Sequence, residues 1–145
     1  LGVLIMFKFL LPLAGLILFS CASFSNESEA IVQTKYIHLT PAFVVNYGNT
    51  GRMKYLRTEI ALKVVGDQAA SAVTNHRPFI RHRLVFLLTS QDSEVVNSTH
   101  GRETLRKLAL EEVQALMIEL EGSPYVEDLF FENFFNFGFK IIRSF

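Results

Sequence analysis

The sequence contains few of the residues that build covalent cross-links and metal centres. It has no tryptophan, and Cys21 is the only cysteine among its 145 residues. One chain can therefore form neither a disulfide framework nor a cysteine-rich metal site. The four histidines are far apart, and none has another histidine or a cysteine three or four residues away. A zinc site would need distant ligands, so we predict no metal-binding residues.

An excess of charge of one sign and the common catalytic motifs are absent as well. The chain has 14 basic and 14 acidic residues and no formal net charge, which argues against binding to DNA or RNA. No serine lies in a nucleophile-elbow pattern, and there is no glycine-rich phosphate loop. Neighbouring acidic residues such as Glu111 and Glu112 are best explained as a solvated helix face. We therefore predict no catalytic residue, no cofactor and no enzymatic activity.

Apolar residues, by contrast, are abundant. Half of the chain is hydrophobic and 19% is charged, which is typical of a folded domain and not of a disordered one. A chain of 145 residues supports one domain with a core of ordinary size.

The N-terminal segment predicts export. An apolar run at residues 9–19 follows Lys8 and precedes small residues, as in a secretory signal, whereas a membrane span needs about 20 apolar residues. Three outcomes are open: cleavage after Ala22, retention of residues 1–19 as an anchor, or lipidation of Cys21 in a lipobox-like context. All three place the rest of the chain outside the cytoplasm.

The remaining chain divides into three parts. Residues 23–34 are polar and predict a flexible tether, residues 35–137 predict the domain, and residues 138–145 form an apolar C-terminal tail. Short strands are expected at 35–39 and 43–47, followed by a long strand at 53–65. The period of two in this long strand predicts one buried face, made of Leu56, Thr58, Ile60, Leu62 and Val64.

Three helices are predicted after these strands. They are expected at residues 68–75, with Asp67 as the capping residue, at 78–89, beginning with Pro78, and at 102–121. Residues 90–100 are predicted to be a polar loop, and Gly122 ends the last helix. The expected buried stripe of that helix is Leu105, Ala109, Val113, Leu116 and Leu120. Strands, then helices, then one strand indicate an α+β fold with three helices on one side of a small antiparallel sheet.

Phenylalanine is the most informative residue type. Six of the 14 phenylalanines lie between Tyr125 and Phe139, where they would cover both faces of a helix. The segment therefore predicts a long strand that is apolar on both sides of the pleat. Other parts of the fold, or a partner, must cover it. We interpret residues 126–134 as the closing core strand.

Two groups of residues are candidates for partner binding. Arg77 and Arg81 lie one helical turn apart and could contact acidic groups or lipid headgroups, although a solvated helix face is the simpler explanation. Phe137 and Phe139 belong to an apolar stretch that continues beyond the closing strand. We expect this tail to add an edge strand or to dock on a neighbouring subunit.

The order of the motifs resembles the FliL family of flagellar basal-body-associated proteins. The matching segments are YIHLTPAFVVNYG at 36–48, YLRTEIALKV at 55–64, NHRPFIRHRLVFLLTSQ at 75–91, GRETLRKLALEEV at 101–113 and VEDLFFENF at 126–134. The resemblance implies a stomatin-like α+β domain without catalytic activity. It also implies a membrane-associated, ring-forming accessory on the periplasmic side of the inner membrane. Its partners would be the flagellar stator and basal-body ring proteins. The alternative is an exported lipoprotein or adaptor with the same domain and a non-flagellar partner.

Overall fold

The computed structural model of the chain describes residues 33–48 and 54–138. They form four strands: β1 (Thr34–His38), β2 (Phe43–Tyr47), β3 (Lys54–Val65) and β4 (Val126–Gly138). The sequence predicted the first three strands to within one residue at each end. The predictions for the N-terminal segment, Cys21, most of the tether, Phe139 and the rest of the tail lie outside the described residues.

The four strands form one antiparallel sheet around β3. β1 and β2 both pair with one edge of β3, β1 near its C-terminal end and β2 near its N-terminal end, while β4 pairs along the other edge. β4 pairs with no second strand in the described part of the chain. The strand that sequence analysis interpreted as a core strand is therefore an edge strand.

One face of the sheet, here called the inner face, carries the core. The five predicted residues of β3 are all buried, with Thr58 as the only buried polar side chain among the described residues. Phe43 and Val45 of β2 extend this face, because they lie opposite Thr58 and Leu56 in the antiparallel register. Tyr47, two residues further along β2, points to the same face and is also buried. The prediction of a half-buried strand with a period of two is confirmed.

Four helices, rather than the predicted three, connect β3 to β4. They are α1 (Asp67–Asn75), α2 (Arg77–Thr89), α3 (Ser93–Asn97) and α4 (Thr99–Glu121). The extra helix α3 lies in the segment predicted to be a polar loop, and it buries Val96. α3 packs closely on the start of α4: a Cβ atom on Gly101 would lie 2.4 Å from the carbonyl oxygen of Val95. Glycine permits this approach, which no local pattern predicts.

The helix boundaries were otherwise predicted well, with two errors. Asp67 is not a capping residue: Gly66 occupies the N-cap position, and the Asp67 carboxylate forms an ion pair with Lys35 instead. Leu120 is 39% exposed, and Met117 replaces it in the buried stripe of α4. Gly122 ends α4 in the left-handed conformation with φ of 75°, as predicted.

β4 is less buried than its composition suggested. Val126 and Leu129 lie in the core, but Phe131 and Phe134 are only half-buried, and Phe130, Phe135 and Phe137 are exposed. The interpretation of residues 126–134 as a core strand is therefore wrong for the phenylalanines. The described helices cover only the inner face of the sheet, so Phe130, Phe135 and Phe137 on the outer face stay exposed. Phe131 and Phe134 belong to the inner face but line a groove beside α4, which leaves them half-buried.

Candidate interaction surfaces

Arg81, one of the two predicted partner-binding arginines, is bound inside the fold. Its Nη1 donates hydrogen bonds to the backbone carbonyls of Leu39 and Pro41, both at 2.7 Å. Its Cζ atom lies 4.2 Å from the ring centroid of Phe43. Burial, and secondly the positive charge of Arg77, lower the pKa of the Arg81 guanidinium. Arg81 thus fastens α2 to the connection between β1 and β2.

Arg77 has a different environment although it lies one turn away. The residue is half-buried, and its Nε atom is buried without a hydrogen-bond partner among the described residues. A buried donor without an acceptor costs free energy unless something supplies the acceptor. Two neighbouring basic residues do have acidic partners: His76 contacts Glu121, and Arg83 pairs with both Glu112 and Glu119. Of the two candidate arginines, Arg77 is therefore the one whose guanidinium lacks an acceptor within the described fold.

The outer face of the sheet carries the predicted residue Phe137. It lies opposite Tyr55 of β3, and its neighbour on the same face, Phe135, lies opposite Arg57. The rings of Phe135 and Phe137 are stacked, with centroids 6.5 Å apart. Val44 of β2 also lies opposite Arg57, from the other edge of β3. We call Val44, Phe135 and Phe137 the outer aromatic patch.

This outer aromatic patch is solvent-exposed. The exposed fractions are 64% for Val44, 50% for Phe135 and 55% for Phe137. Contiguous apolar surface on a folded domain commonly marks a binding site. Sequence analysis identified Phe137 but not Val44. The alternation of β2 contained the signal, since Val44 lies between the two buried residues Phe43 and Val45.

Paired charges separate this patch from a second aromatic contact on the outer face. Tyr36 and Phe130 have ring centroids 6.1 Å apart. Between the two groups lie the contact of His38 Nδ1 with a carboxylate oxygen of Glu132, at 3.2 Å, and the ion pair of Arg57 with Glu59, at 3.1 Å. Lys63 lies directly opposite Tyr36, and its hydrogen bond to Glu127 is the main cause that raises the pKa of its ammonium group. The outer face is therefore apolar in patches, with its charges largely neutralised.

The described residues show no cluster suited to metal chemistry. No group of three or more histidine, cysteine, aspartate or glutamate side chains is placed to hold a metal ion within residues 33–48 and 54–138. Within the same ranges, no helix combines the length and the apolar character that crossing a membrane requires. The chemistry that the observed surfaces offer is the binding of apolar and hydrogen-bonding groups.

Comparison with known proteins gives one consistent result. The family of flagellar basal body-associated protein FliL matches residues 36–135. The flagellar protein FliL of Aquifex aeolicus (strain VF5) is 28% identical over 81 residues, which cover 56% of this chain and 50% of that protein. The flagellar protein FliL of Escherichia coli (strain K12) is 25% identical over 84 residues, which cover 58% and 53%. The chain thus spans about half the length of the curated relatives that it matches.

The matched region begins within β1 and ends within β4, so it includes β2, β3, all four helices and most of the other two strands. It also contains both arginines and most of the outer aromatic patch, whereas Phe137 lies just beyond it. The resemblance noted from the sequence is therefore confirmed, and the chain belongs to the FliL family of flagellar basal body-associated proteins.

Proposed function

We propose that this chain is a non-enzymatic accessory of the flagellar motor that acts in the periplasm beside the inner membrane. Membership of a basal body-associated family supports the flagellar part of this proposal. In this proposal the domain adopts a stomatin-like arrangement, forms a homo-oligomeric ring, and contacts the stator and basal-body ring proteins to support swimming and swarming.

The outer aromatic patch is the observation that carries the proposal. A monomer that exposes two stacked phenylalanines and a valine on one sheet face gains free energy when a partner covers them, at about 25 cal/mol per Å² of apolar surface. Charged groups beside the patch, such as Arg57, are already paired, which favours an apolar contact over an ionic one. We assign this patch as the main contact surface for the motor partner.

A complementation experiment tests the assignment. In a deletion strain, the wild-type chain should restore swimming and swarming, and the double variant Phe135→Asp, Phe137→Asp should not, although it is produced and folded. The double variant Phe79→Asp, Phe86→Asp is the matched control, since these phenylalanines are 57% and 65% exposed on α2. The control should restore motility because it changes the same number of exposed rings elsewhere.

The possible results test the flagellar role and the proposed contact surface separately. Restored motility with the patch variant would remove the patch from the proposal and leave the flagellar role intact. Normal swimming and swarming of the deletion strain under every load would remove the flagellar role itself. In that case the alternative, an exported adaptor with a non-flagellar partner, would be the better description.

Arg77 is a second proposed contact, because a partner could supply the acceptor that its buried Nε lacks. The variant Arg77→Glu should fold and should weaken association with the motor. Unchanged association would exclude Arg77. Arg81→Glu is not a useful test of binding, since it removes two hydrogen bonds within the fold.

The N-terminal segment would keep the domain at the membrane as an anchor or through a lipid on Cys21, or would release it after cleavage. Labelling of cells with radioactive palmitate distinguishes these proposals. If the wild-type protein is labelled and the variant Cys21→Ser is not, Cys21 is lipidated. If the protein is unlabelled, has its full-length mass and stays in the membrane fraction, the segment is an uncleaved anchor.

A further inference from the structure

A groove separates the start of α4 from the middle of β4. Its volume is about 340 Å³. Its α4 side consists of Thr99, Arg102, Glu103 and Arg106, and its β4 side consists of Phe130, Phe131 and Phe134. The groove is distinct from the outer aromatic patch, because Phe131 lies opposite the inner-face residue Ile60 and Phe134 packs against the core.

The β4 side of the groove is an aromatic wall. The rings of Phe131 and Phe134 meet edge to face, with centroids 5.5 Å apart. Both rings are half-buried, so each still has surface that faces solvent. A bulky apolar side chain placed against this wall would complete the burial of both rings.

The two arginines on the α4 side differ in their hydrogen bonding. Arg106 donates to both carboxylate oxygens of Glu103, at 2.8 and 2.9 Å, and is also bound to Asp128. Arg102 lies with its Cζ 5.6 Å from the centroid of the Phe134 ring. No side chain or carbonyl in the two described ranges accepts a hydrogen bond from its guanidinium. Arg102 therefore offers up to five donors next to an apolar wall, a pairing that suits a carboxylate on an apolar segment.

The backbone of β4 adds a third recognition element. β4 is 13 residues long and pairs only with β3 among the described residues. Side chains of α4 reach two of its carbonyls, since Gln114 donates to Val126 and Arg106 to Leu129. Beyond Leu129, the only side-chain donor to a β4 carbonyl in the described structure is Thr58 of β3, which bonds to Glu132. The remaining edge can pair with an added strand.

We propose that this groove binds an extended peptide segment of a partner protein, in which a carboxylate lies next to a bulky apolar side chain. The segment adds to the free edge of β4, places its apolar side chain against Phe131 and Phe134, and places its carboxylate on Arg102. A peptide fits better than a lipid or a small anion, because only another backbone can satisfy a row of strand donors and acceptors. The proposal does not depend on the flagellar role or on the outer aromatic patch.

A peptide-selection experiment tests this groove. The purified full-length chain is immobilised and used to select from a displayed library of random octapeptides. Peptides with an aspartate or glutamate within two positions of a bulky apolar residue should be enriched. The variant Arg102→Glu should reverse the charge preference and select lysine or arginine at the same position. Lys107→Glu is the matched control, because it makes the same charge change at an exposed position outside the groove and should keep the wild-type preference.

Two further measurements use changes in the peptide and so do not depend on how a protein variant folds. Replacing the acidic residue of a selected peptide by its amide should weaken binding by about tenfold or more, as expected for a charge-assisted hydrogen bond. In an added strand, every second peptide N–H faces β4. N-methylation of these positions should abolish binding, whereas N-methylation of the positions between them should not.

Several results would overturn the proposal. These are enrichment without an acidic preference, an unchanged preference in Arg102→Glu, and tolerance of N-methylation at every position. Concentration-dependent dimerisation that Arg102→Glu abolishes and Lys107→Glu does not would also overturn it, because the occupant would then be a second copy of this chain.

Discussion

The two halves of β4 have similar composition but very different surroundings. In the first half, Val126 and Leu129 are 2% and 0% exposed, whereas in the second half Phe135 and Phe137 are 50% and 55% exposed. Phenylalanine, valine and leucine are all residues that are commonly buried, so side-chain chemistry alone would not predict this difference. Val126 and Leu129 point to the inner face, which the neighbouring helix covers, whereas Phe135 and Phe137 point to the outer face, so the face of the strand decides which side chains become core.

That neighbouring helix is α4. It binds the first half through Gln114, whose Nε2 lies 2.7 Å from the carbonyl oxygen of Val126, and through Arg106, which is bound to Asp128. The second half has β3 beside it and a side-chain contact between Asn136 and Asn97 of α3. Its two outer-face phenylalanines, Phe135 and Phe137, therefore add apolar surface that the described fold leaves exposed.

The largest predicted effect is a difference in stability between the two halves. Leu129→Ala should lower the free energy of unfolding by about 2–5 kcal/mol, because it leaves a cavity among fully buried side chains. Phe137→Ala should change it by less than about 0.5 kcal/mol, since the ring is more than half exposed. Chemical denaturation of the purified variants measures both values. Equal losses in the two variants would mean that both halves are packed alike.

Local sequence patterns predicted much of the fold. β2 has the predicted bounds, the five inward-facing residues of β3 are buried, and Pro78 lies in the first turn of α2. These features depend on periodicity and on backbone preferences that act within a few residues. The structure therefore agrees with the sequence where the cause is local.

Features that depend on distant residues were missed. α3 was assigned to a loop because its burial comes from the close approach of Val95 to Gly101. Arg81 was proposed as a partner contact because its spacing from Arg77 is visible in the sequence, whereas the carbonyls of Leu39 and Pro41 that bind it lie about 40 positions away. Sequence alone likewise gives no cross-strand register, so it could not show that Val44 and Phe135 lie opposite the same residue, Arg57, on one face of the sheet.

The boundary between the two halves of β4 is a β-bulge, and its conformation gives a second, smaller prediction. The register shifts between Arg57 and Glu59 of β3, and Asn133 of β4 has a positive φ of 50°. Asn133→Ala and Asn133→Gly both remove the hydrogen bond from Asn133 Nδ2 to Glu59, but only alanine places a Cβ atom in the left-handed region.

The glycine variant should therefore be more stable than the alanine variant by about 1 kcal/mol. Denaturant titration of the pair measures this difference directly, since each variant serves as the control for the other. If alanine were equal or better, the bulge would have relaxed to a regular ladder. Phe135 and Phe137 would then point to the inner face, because a one-residue slip exchanges the faces of a strand.

The smallest predicted effect concerns the contact of α4 with the first half of β4, and it depends on pH. The hydrogen bond from Arg106 is the main cause that lowers the pKa of the Glu103 carboxyl below its ordinary value. A carboxyl whose pKa is lower in the folded state than in the unfolded state stabilises the fold fully when the pH is above the unfolded-state pKa. This contribution disappears as the pH falls through the folded-state pKa. The stability difference between wild type and Glu103→Gln should therefore be present near neutral pH and should shrink below about pH 4.5.

In the Arg106→Gln background the same difference should depend much less on pH. A pH-dependent difference of equal size in both backgrounds would show that Arg106 is not the cause of the lowered pKa of Glu103.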